Sequence, residues 1–349
     1  MSEAVHKYIN NPILRPYDIQ PSVPGMEVTC VLNPGIFYFD DKIWMLVRVA
    51  ERPVSEKGLV CVPVINDAGQ IEILRFWEND PHLDLSDGRI VIYRNESFLS
   101  TLSHLRLLYS NDGVFFTESP DYPSIYGSGP YETYGIEDCR IALINGTYWL
   151  TYTAVSALGV GVGMMSTTDW KQFNRRGVIL PPHNKDCALF EQKVKGLYYM
   201  LHRPSSVFIG GNYIWLASSP DLQHWGSHKC IAKTRPGKWD SERIGAGASP
   251  VLTSEGWLVI YHGANDEGRY CLGALLLDKE DPSNVIARSD KPVMIPEADY
   301  EKNGFFGNVV FTNGHIVKGD ELLLYYGAAD EVICLARLSL SAILKSLNI

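Results

Sequence analysis

The sequence predicts an all-β fold, a five-bladed β-propeller with a short C-terminal helix. Three observations predict it: a composition rich in glycine and aromatic residues, short apolar runs separated by turns, and a corner motif that recurs at a nearly constant interval. The chain has 349 residues, of which 46% are hydrophobic, and this is enough for a large core. We expect residues 1–349 to form a single domain.

The apolar runs are typical of hairpin strands. Each one contains aromatic or aliphatic residues and follows a turn rich in Gly, Asn or Asp, as the second strand of a hairpin does. Clear examples are Thr147–Thr153, Leu197–His202, Trp257–His262 and Glu321–Tyr326. Only the last segment, Leu338–Leu347, has the pattern of a helix.

The corner motif predicts the number of blades. A small polar turn recurs with aspartates at Asp112, Asp169, Asp221 and, in a weaker copy, Asp281, which lie 57, 52 and 60 residues apart. A period of roughly 50–60 residues with about four strands per unit is typical of a β-propeller, and the chain length then allows about five blades. A two-sheet sandwich has similar strands, but it does not repeat such a corner at near-constant spacing.

Composition and charge argue against several classes of protein. The net charge of −9 disfavours nucleic acid as a general partner. The seven cysteines are scattered and include no CxxC pair, which indicates free thiols in a reducing compartment and no zinc site. We find no signal-peptide pattern and no apolar run of about 18 residues, so we expect a cytoplasmic protein with no membrane partner and no metal.

Polar side chains interrupt or end several apolar strands. In a propeller the innermost strands converge on one axis, so these residues are candidates for a shared central pocket. One such residue is usually a satisfied hydrogen bond at a strand end, whereas a set at equivalent positions predicts a polar cavity. The set comprises Asn33, Arg48, Arg106, His202, Arg203, Arg243, His262 and Asp330.

The segment Tyr134–Ile141 contains the best candidate for an acid catalyst. It places Glu137 and Asp138 next to Arg140 among apolar residues. A partly desolvated carboxylic acid can keep its proton near neutral pH and deliver it to a leaving group. The alternative is a structural Asp–Arg pair that ties two loops together.

Several motifs together resemble glycoside hydrolase family 130. They match in order over almost the whole chain, from Asn11 to Asp330, and comprise Gly135–Arg140, Asn184–Asp186, Trp239–Gly247, Gly256–Gly263 and Tyr325–Asp330. The resemblance implies a five-bladed catalytic propeller, either an inverting β-mannoside phosphorylase or a related β-mannosidase. By the same resemblance Asp138 is the general acid, and its proton passes through the 3-hydroxyl of the bound mannose.

The resemblance also implies a phosphate site. It assigns the clamp to Lys185, Arg243 and His262, with Asn33 and Arg48 as helpers at the phosphate or the −1 sugar. A phosphorolytic enzyme needs cationic donors that hold the dianion in line with the anomeric carbon, whereas an inverting hydrolase needs a second carboxylate. No cofactor is expected, because inorganic phosphate is the co-substrate.

Each clamp residue has a structural alternative. Lys185 has the sequence context of a plain turn, Arg243 has Asp240 and Glu242 nearby, and His262 fits a core histidine. The chain also departs from the family pattern at two places. Asp186 introduces a negative charge that would repel phosphate, and Ser249–Pro250 replaces the usual Pro-Pro. In a hydrolase, Glu242 or Asp186 would be the candidate base.

Sugar binding requires aromatic surfaces and polar groups that recognise hydroxyls. The expected contacts are Arg106, Glu137, Arg140, Asp186, His202, Arg203, Tyr261, Tyr270, Tyr325 and Asp330. Trp170 and Trp225 lie at blade corners and are expected in the core. An insertion over about 60–105 is expected to form acceptor subsites or oligomer contacts, and the long form resembles the β-1,2-mannoside branch.

These observations lead to one prediction of function with two alternatives. We predict an inverting β-mannoside phosphorylase that converts a β-mannoside oligosaccharide and phosphate into α-mannose 1-phosphate. The first alternative is an inverting β-mannosidase that uses water. The second is a sugar-binding propeller without catalytic activity, and a homo-oligomer is left open.

Overall fold

The computed structural model describes residues 5–205 and 209–349, and nearly all of its regular structure is β. Five sheets contain at least four strands each, and two small sheets project from one of them. Within the described ranges, no helix is long and apolar enough to cross a membrane.

The first sheet contains the earliest long strands and an insertion. Its strands pair in the order β10-β9-β3-β2, and the insertion between β3 and β9 forms a two-stranded and a three-stranded sheet. A short strand β1 (Val5–Lys7) and a 3-10 helix (Pro16–Asp18) precede it. The bounds are β2 (Met26–Phe39), β3 (Lys42–Pro53), β4 (Leu59–Ile65), β5 (Ile71–Trp77), β6 (Leu83–Asp87), β7 (Ile90–Tyr93), β8 (Glu96–Leu99), β9 (Leu102–Ser110) and β10 (Thr117–Glu118).

The next three sheets have antiparallel neighbours, and the second and third run in chain order. The second comprises β11 (Ile136–Ile144), β12 (Thr147–Ser156), β13 (Gly159–Thr167) and β14 (Asn174–Leu180). The third comprises β15 (Asn184–Leu189), β16 (Tyr198–Pro204), β17 (Ile214–Ser219) and β18 (Gly226–Ala232). The fourth comprises β19 (Arg243–Ala246), β20 (Val251–Leu252), β21 (Trp257–Ala264), β22 (Tyr270–Leu277) and β23 (Val285–Arg288), and it has the order β19-β21-β22-β23 with β20 paired to β21.

The fifth sheet joins both ends of the described chain. It pairs β24 (Val310–Lys318), β25 (Glu321–Ala328) and β26 (Val332–Ser339), and β1 adds to β26 as the fourth strand. One helical turn, α1 (Asp299–Lys302), precedes this sheet and was not expected. The helix α2 (Leu340–Ser346) follows it and lies within the segment that the sequence predicts to be helical.

The core lies between neighbouring sheets. Trp170 is fully buried at the corner after β13, and its ring stacks on Phe37 of β2 with ring centroids 3.7 Å apart. This contact places the second sheet against the first through a large apolar area. The expectation that Trp170 packs in the core is therefore met in the structure.

The recurring aspartate corners are turns that the carboxylate closes. Asp112 accepts hydrogen bonds from the N–H groups of Val114 and Phe115, and Asp169 and Asp221 make the equivalent pairs two and three residues further on. In the fourth sheet Asp278 makes this pair, with the N–H groups of Glu280 and Asp281. The sequence prediction that Asp281 is the fourth corner residue was therefore off by three positions.

The first strands of the sheets pack against one another. β24 contacts β2, β2 contacts β11, β11 contacts β15, and β15 contacts β19. Three of these strands have a bulge where a polar residue takes a left-handed backbone conformation: Asn33 (φ 39°), Asp138 (φ 50°) and Asp186 (φ 53°). Bulges redirect a side chain away from the regular alternation of a strand, and Asn and Asp tolerate this conformation best. All three residues line the same cavity.

Candidate active site

A cavity of about 530 Å³ gathers most of the predicted site residues. Eleven of them line it: Asn33, Arg48, Glu137, Asp138, Lys185, Asp186, Arg203, Arg243, His262, Tyr270 and Asp330. They come from all five large sheets or from turns at their strand ends. A second cavity, of about 450 Å³, has Tyr148, Glu191 and His315 in its wall and contains none of the predicted residues.

Asp138 is held at the bulge of β11 by two donors. The side-chain amide of Asn33 and the Nη1 of Arg48 each donate to Asp138 Oδ1 at 3.0 Å. Arg48 also donates from Nη2 to Glu137 Oε1 at 2.8 Å. One guanidinium therefore bridges both members of the acid pair, and its two bonds fix their orientation relative to each other.

The charge state of Asp138 differs from the sequence expectation. Burial by itself raises the pKa of this carboxyl, but the nearby Arg48, Arg140 and Lys185 outweigh burial and lower its pKa below the ordinary value. Without ligand the group is therefore ionised near neutral pH. In the same cavity, the pKa of the Asp330 carboxyl is raised to about 6 by burial and by the charges of Asp138 and Glu137, opposed by Arg48.

Asp186 is neutralised by cations and does not present a free negative charge. Its carboxylate lies 2.7 Å from Arg203 Nε, 3.1 Å from His262 Nε2 and 3.3 Å from Arg140 Nη2. Burial opposes its ionisation, but Arg203, His262 and Arg140 lower its pKa well below the ordinary value. The repulsion of phosphate that its sequence position suggested is therefore compensated within the site.

Two cations of the cavity keep their charge available. Arg243 donates from Nη1 to Tyr270 Oη at 3.2 Å, and its guanidinium also lies over the Tyr270 ring. Over residues 5–205 and 209–349, no carboxylate lies within ion-pair distance of Lys185 or Arg243. The proposed pairing of Arg243 with Asp240 does not occur, because Asp240 binds Arg235 and Arg288 instead.

Comparison with known proteins identifies the family. The model of glycoside hydrolase family 130, described as β-1,4-mannooligosaccharide phosphorylase, matches residues 82–348. The chain belongs to glycoside hydrolase family 130. This confirms the resemblance that the motifs indicate.

Individual phosphorylases are similar to this chain over most or all of its length. A β-1,2-mannobiose phosphorylase from Listeria innocua is 42% identical over 351 aligned residues, which cover 99% of both chains. A 1,2-β-oligomannan phosphorylase from a Thermoanaerobacter species is 41% identical and covers 69% of this chain and 80% of its own. The solved structure of the Listeria innocua protein in complex with β-1,2-mannobiose has a TM-score of 0.93, with 41% identity and 99% coverage of both chains.

Four predicted residues of this family 130 chain do not line the cavity. Arg140 lies behind it and ties β11 to the end of β19, donating to the backbone oxygens of Asp138, Ala246 and Gly247 at 2.9, 3.0 and 3.2 Å. Arg106 donates to the backbone oxygen of Gln20 at 2.6 Å. These two were predicted to contact sugar, and the structure gives them bonds to the protein instead.

The other two are His202 and Tyr261. His202 lies 3.1 Å from Asn184 Oδ1 and 3.0 Å from His228 Nδ1, and Tyr261 donates to Asp240 at 2.9 Å. Tyr325, a predicted aromatic surface, is also outside the cavity and donates to the backbone oxygen of Gly113 at 2.7 Å. Sequence alone could not separate these residues from the true lining because both kinds occupy apolar strands.

Several lining residues were missed. Arg89 and Leu99 come from the insertion, and Phe305 and Phe306 come from the turn before β24. The guanidinium of Arg89 lies 5.8 Å from the ring centroid of Phe306, so the two segments meet at the cavity wall. The available signal was the consecutive pair Phe305–Phe306 between two glycines, an apolar pair in a turn where polar residues are usual.

Proposed function

We propose that this chain is an inverting phosphorylase that cleaves a β-1,2-mannosidic bond with inorganic phosphate and produces α-mannose 1-phosphate. The observation that carries the proposal is one cavity in which Asp138 faces the same space as the cations Lys185, Arg203 and Arg243. The β-mannoside specificity and the linkage rest on the family and on relatives named as β-1,2-mannobiose and 1,2-β-oligomannan phosphorylases.

The proposed reaction requires one proton and one in-line displacement. A phosphate oxygen attacks the anomeric carbon of the mannose in the −1 subsite, and the bond from that carbon to the glycosidic oxygen breaks. Asp138 supplies the proton that the leaving oxygen takes up, through the 3-hydroxyl of the same mannose. Lys185, Arg243 and His262 hold the phosphate, because cationic and N–H donors align a dianion.

Phosphate binding should also shift Asp138 towards the protonated state that the reaction needs. The pKa of its carboxyl is lowered in part by Lys185. A phosphate dianion on Lys185 offsets that positive charge, and its own negative charge disfavours ionisation of a nearby carboxyl. The acid is therefore protonated more readily when the nucleophile is in place.

The positions of the candidate bases favour phosphate over water. An inverting hydrolase needs a carboxylate that accepts a proton from water. Glu242 lines a separate cavity beside Lys238 and Trp239, and Asp186 is engaged by three cationic or imidazole groups. Neither is arranged as a free base, so hydrolysis is the weaker candidate. The set of unpaired cations also makes a silent sugar-binding module a weaker candidate.

We further propose that the five large sheets are the blades of a five-bladed propeller within a single catalytic domain. The support is that the first strands of successive sheets pack side by side and contribute residues to one cavity. The unpaired state of the seven cysteines supports a cytoplasmic location.

The proposal is tested by the phosphate dependence of turnover. Purified protein is incubated with β-1,2-mannobiose with and without inorganic phosphate, and the products are separated by anion-exchange chromatography. We expect equal amounts of mannose and α-mannose 1-phosphate, formed only when phosphate is present. Release of free mannose at the same rate in phosphate-free buffer would show a hydrolase, and binding without either product would show a silent module.

A further inference from the structure

We propose that Asp240 is a positioning residue for the phosphate site, because it fixes the strand start that carries Arg243. The inference rests on the proposed function, since it concerns how the phosphate ligands are held. Asp240 does not line the cavity, and its side chain is completely buried in the segment between β18 and β19. A buried carboxylate is stable only when it is fully paired, so its partners indicate what it holds in place.

The carboxylate of Asp240 joins three separate parts of the fourth sheet. It accepts from Arg235 on its own segment, with Nε at 3.0 and 3.1 Å from the two oxygens and Nη2 at 2.8 Å from Oδ2. Tyr261 of β21 donates its hydroxyl at 2.9 Å, and Arg288 of β23 donates from Nη2. Arg288 also donates from Nε to the Tyr261 hydroxyl at 3.0 Å.

The residue before Asp240 fastens the same segment to the strand of His262. The indole of Trp239 lies over Gly263 and Gly273, where any side chain would collide with it. Its Nε1 donates to the backbone oxygen of Asp290 at 3.2 Å. Gly263 is paired with Ile244, and His262 is paired with Gly245. The segment is therefore pinned where β19 and β21 carry Arg243 and His262.

Arg243 depends on this support because its own side chain is weakly held. Its guanidinium has a hydrogen bond to Tyr270 and no ion pair among the described residues. Its position is set mainly by the backbone at the start of β19, three residues after Asp240. A displacement of about 1 Å at a positioning group can cost on the order of a hundredfold in rate. Arg243, at the start of the short strand β19, therefore requires the buried Asp240 to fix the position of its backbone.

The test is Asp240→Asn, which keeps the shape of the side chain and removes its charge. We expect the KM for phosphate to rise about tenfold. The KM for β-1,2-mannobiose should stay within about twofold, because the mannoside contacts other walls. The stabilisation of the protein against heat by added phosphate should shrink in parallel, since it reports phosphate binding without turnover. The matched control is Asp290→Asn, an exposed carboxylate that pairs with Lys238 of the same segment.

The outcomes separate a positioning role from a general structural one. An unchanged KM for phosphate, or an equal rise in both KM values, would overturn the inference. If Asp240→Asn does not fold, Tyr261→Phe removes only one donor to the same carboxylate and should raise the KM for phosphate about two- to threefold. If turnover by the unmodified protein did not depend on phosphate, the proposed function itself would be rejected. The two failures are therefore distinguishable.

Discussion

At the scale of single residues, the site is organised by how charges are paired. Asp138 and Asp330 are both buried aspartates in one cavity, yet the pKa of the first is lowered and that of the second is raised to about 6. The difference follows mainly from neighbouring charges. Arg48, Arg140 and Lys185 outweigh burial at Asp138, whereas at Asp330 burial and the negative charges of Asp138 and Glu137 prevail. Two carboxyl groups whose pKa values shift in opposite directions differ in protonation state, so they can have different roles in one site.

Replacing the proposed acid tests its role directly. We expect Asp138→Asn to reduce kcat by a factor on the order of 10³, because general acid catalysis contributes about 10²–10⁴-fold. The amide still accepts from Asn33 and Arg48, so mannobiose should bind with an affinity within a few-fold of the unmodified chain. The measurements are steady-state kinetics and calorimetric titration with β-1,2-mannobiose. Retention of more than a tenth of the activity would contradict the assignment, and Asp121→Asn, an exposed aspartate outside the cavity, is the control.

Asp330 should make stability depend on pH. Burial raises its folded pKa to about 6 from an ordinary 3.8, so between these values the folded state keeps a proton that the unfolded state releases. Raising the pH from about 4 to 6 therefore weakens the folded state, and above about 7 the loss is complete. Asp330→Asn removes this loss and should be more stable than the unmodified chain by on the order of 1–2 kcal/mol at pH 8.

The quantity to measure is the difference in free energy of unfolding between Asp330→Asn and the unmodified chain. Chemical unfolding at pH 4.5, 6 and 8 should show the advantage of Asp330→Asn growing with pH and then levelling off. The comparison cancels other titrating groups that the two chains share. An advantage that is constant from pH 4.5 to 8 would contradict the raised pKa of Asp330.

Residue types were predictable at this scale, but their partners were not. The sequence pointed to Asp138, Lys185, Arg243 and His262, and the structure places all four on one cavity. It also pointed to Arg106 and His202, whose polar groups bind other parts of the protein. A strand sequence shows that a polar side chain interrupts an apolar run, but the direction of that side chain depends on bulges and neighbouring sheets.

At the scale of elements, bulges decide which residues enter the cavity. Asn33, Asp138 and Asp186 each occupy a left-handed position in the first strand of a sheet. In a regular strand, alternate side chains point to opposite faces, so an unpaired extra residue changes which side chain faces the axis. The sequence signal is an Asn or Asp inside an apolar strand. That signal does not give the register, which depends on pairing with the next strand.

The insertion and the turn before β24 form part of the cavity wall. An inverting displacement places the nucleophile and the leaving group on opposite faces of the anomeric carbon. Because the proposed phosphate ligands lie on the third and fourth sheets, we expect the leaving sugar to lie towards Arg89 and Leu99 of the insertion and towards Phe306. The ring of Phe306 is 44% exposed, which leaves it available to stack on a sugar.

Truncating that ring should affect the leaving sugar and not the phosphate. We expect Phe306→Ala to raise the KM for mannose as acceptor in the synthetic direction by about five- to tenfold, since a stacking contact contributes about 1 kcal/mol or more. The KM for α-mannose 1-phosphate should change little. Phe115→Ala removes another exposed ring outside the cavity and is the control. An effect on the KM for phosphate alone would show that Phe306 lies on the other side of the reaction centre.

At the scale of the whole molecule, the sequence showed the repeated corner motif but not the pairing between the two ends of the chain. Asp112, Asp169 and Asp221 each accept a hydrogen bond from a backbone N–H group of their own turn. The corner motif therefore depends on local sequence, which is why its repeat could be recognised. The pairing of β1 with β26 joins segments more than 300 residues apart and has no local signal. The radial arrangement of the sheets as propeller blades remains a prediction made from the repeated corner motif.

Lys7 and Glu301 provide a test of that long-range pairing. Lys7 of β1 donates from Nζ to Glu301 Oε2 at 2.8 Å and to the backbone oxygen of Ile295 at 3.0 Å. Glu301 is fully buried and also accepts from the hydroxyl of Tyr326 at 2.9 Å. Removing the cation leaves a buried carboxylate without its charge partner, so Lys7→Met should lower the free energy of unfolding by about 2–4 kcal/mol.

A double-mutant cycle separates the ion pair from the loss of strand packing. In Lys7→Met with Glu301→Gln the uncompensated charge is gone, so the double variant should recover at least about 1 kcal/mol relative to the sum of the single changes. Urea unfolding followed by fluorescence and by circular dichroism measures each corner of the cycle. His6→Ala on the same strand, where the side chain is exposed, should change stability by no more than about 0.5 kcal/mol. Strict additivity would mean that β1 is held by its backbone pairing alone and that the charge of Lys7 contributes nothing to closing the fifth sheet.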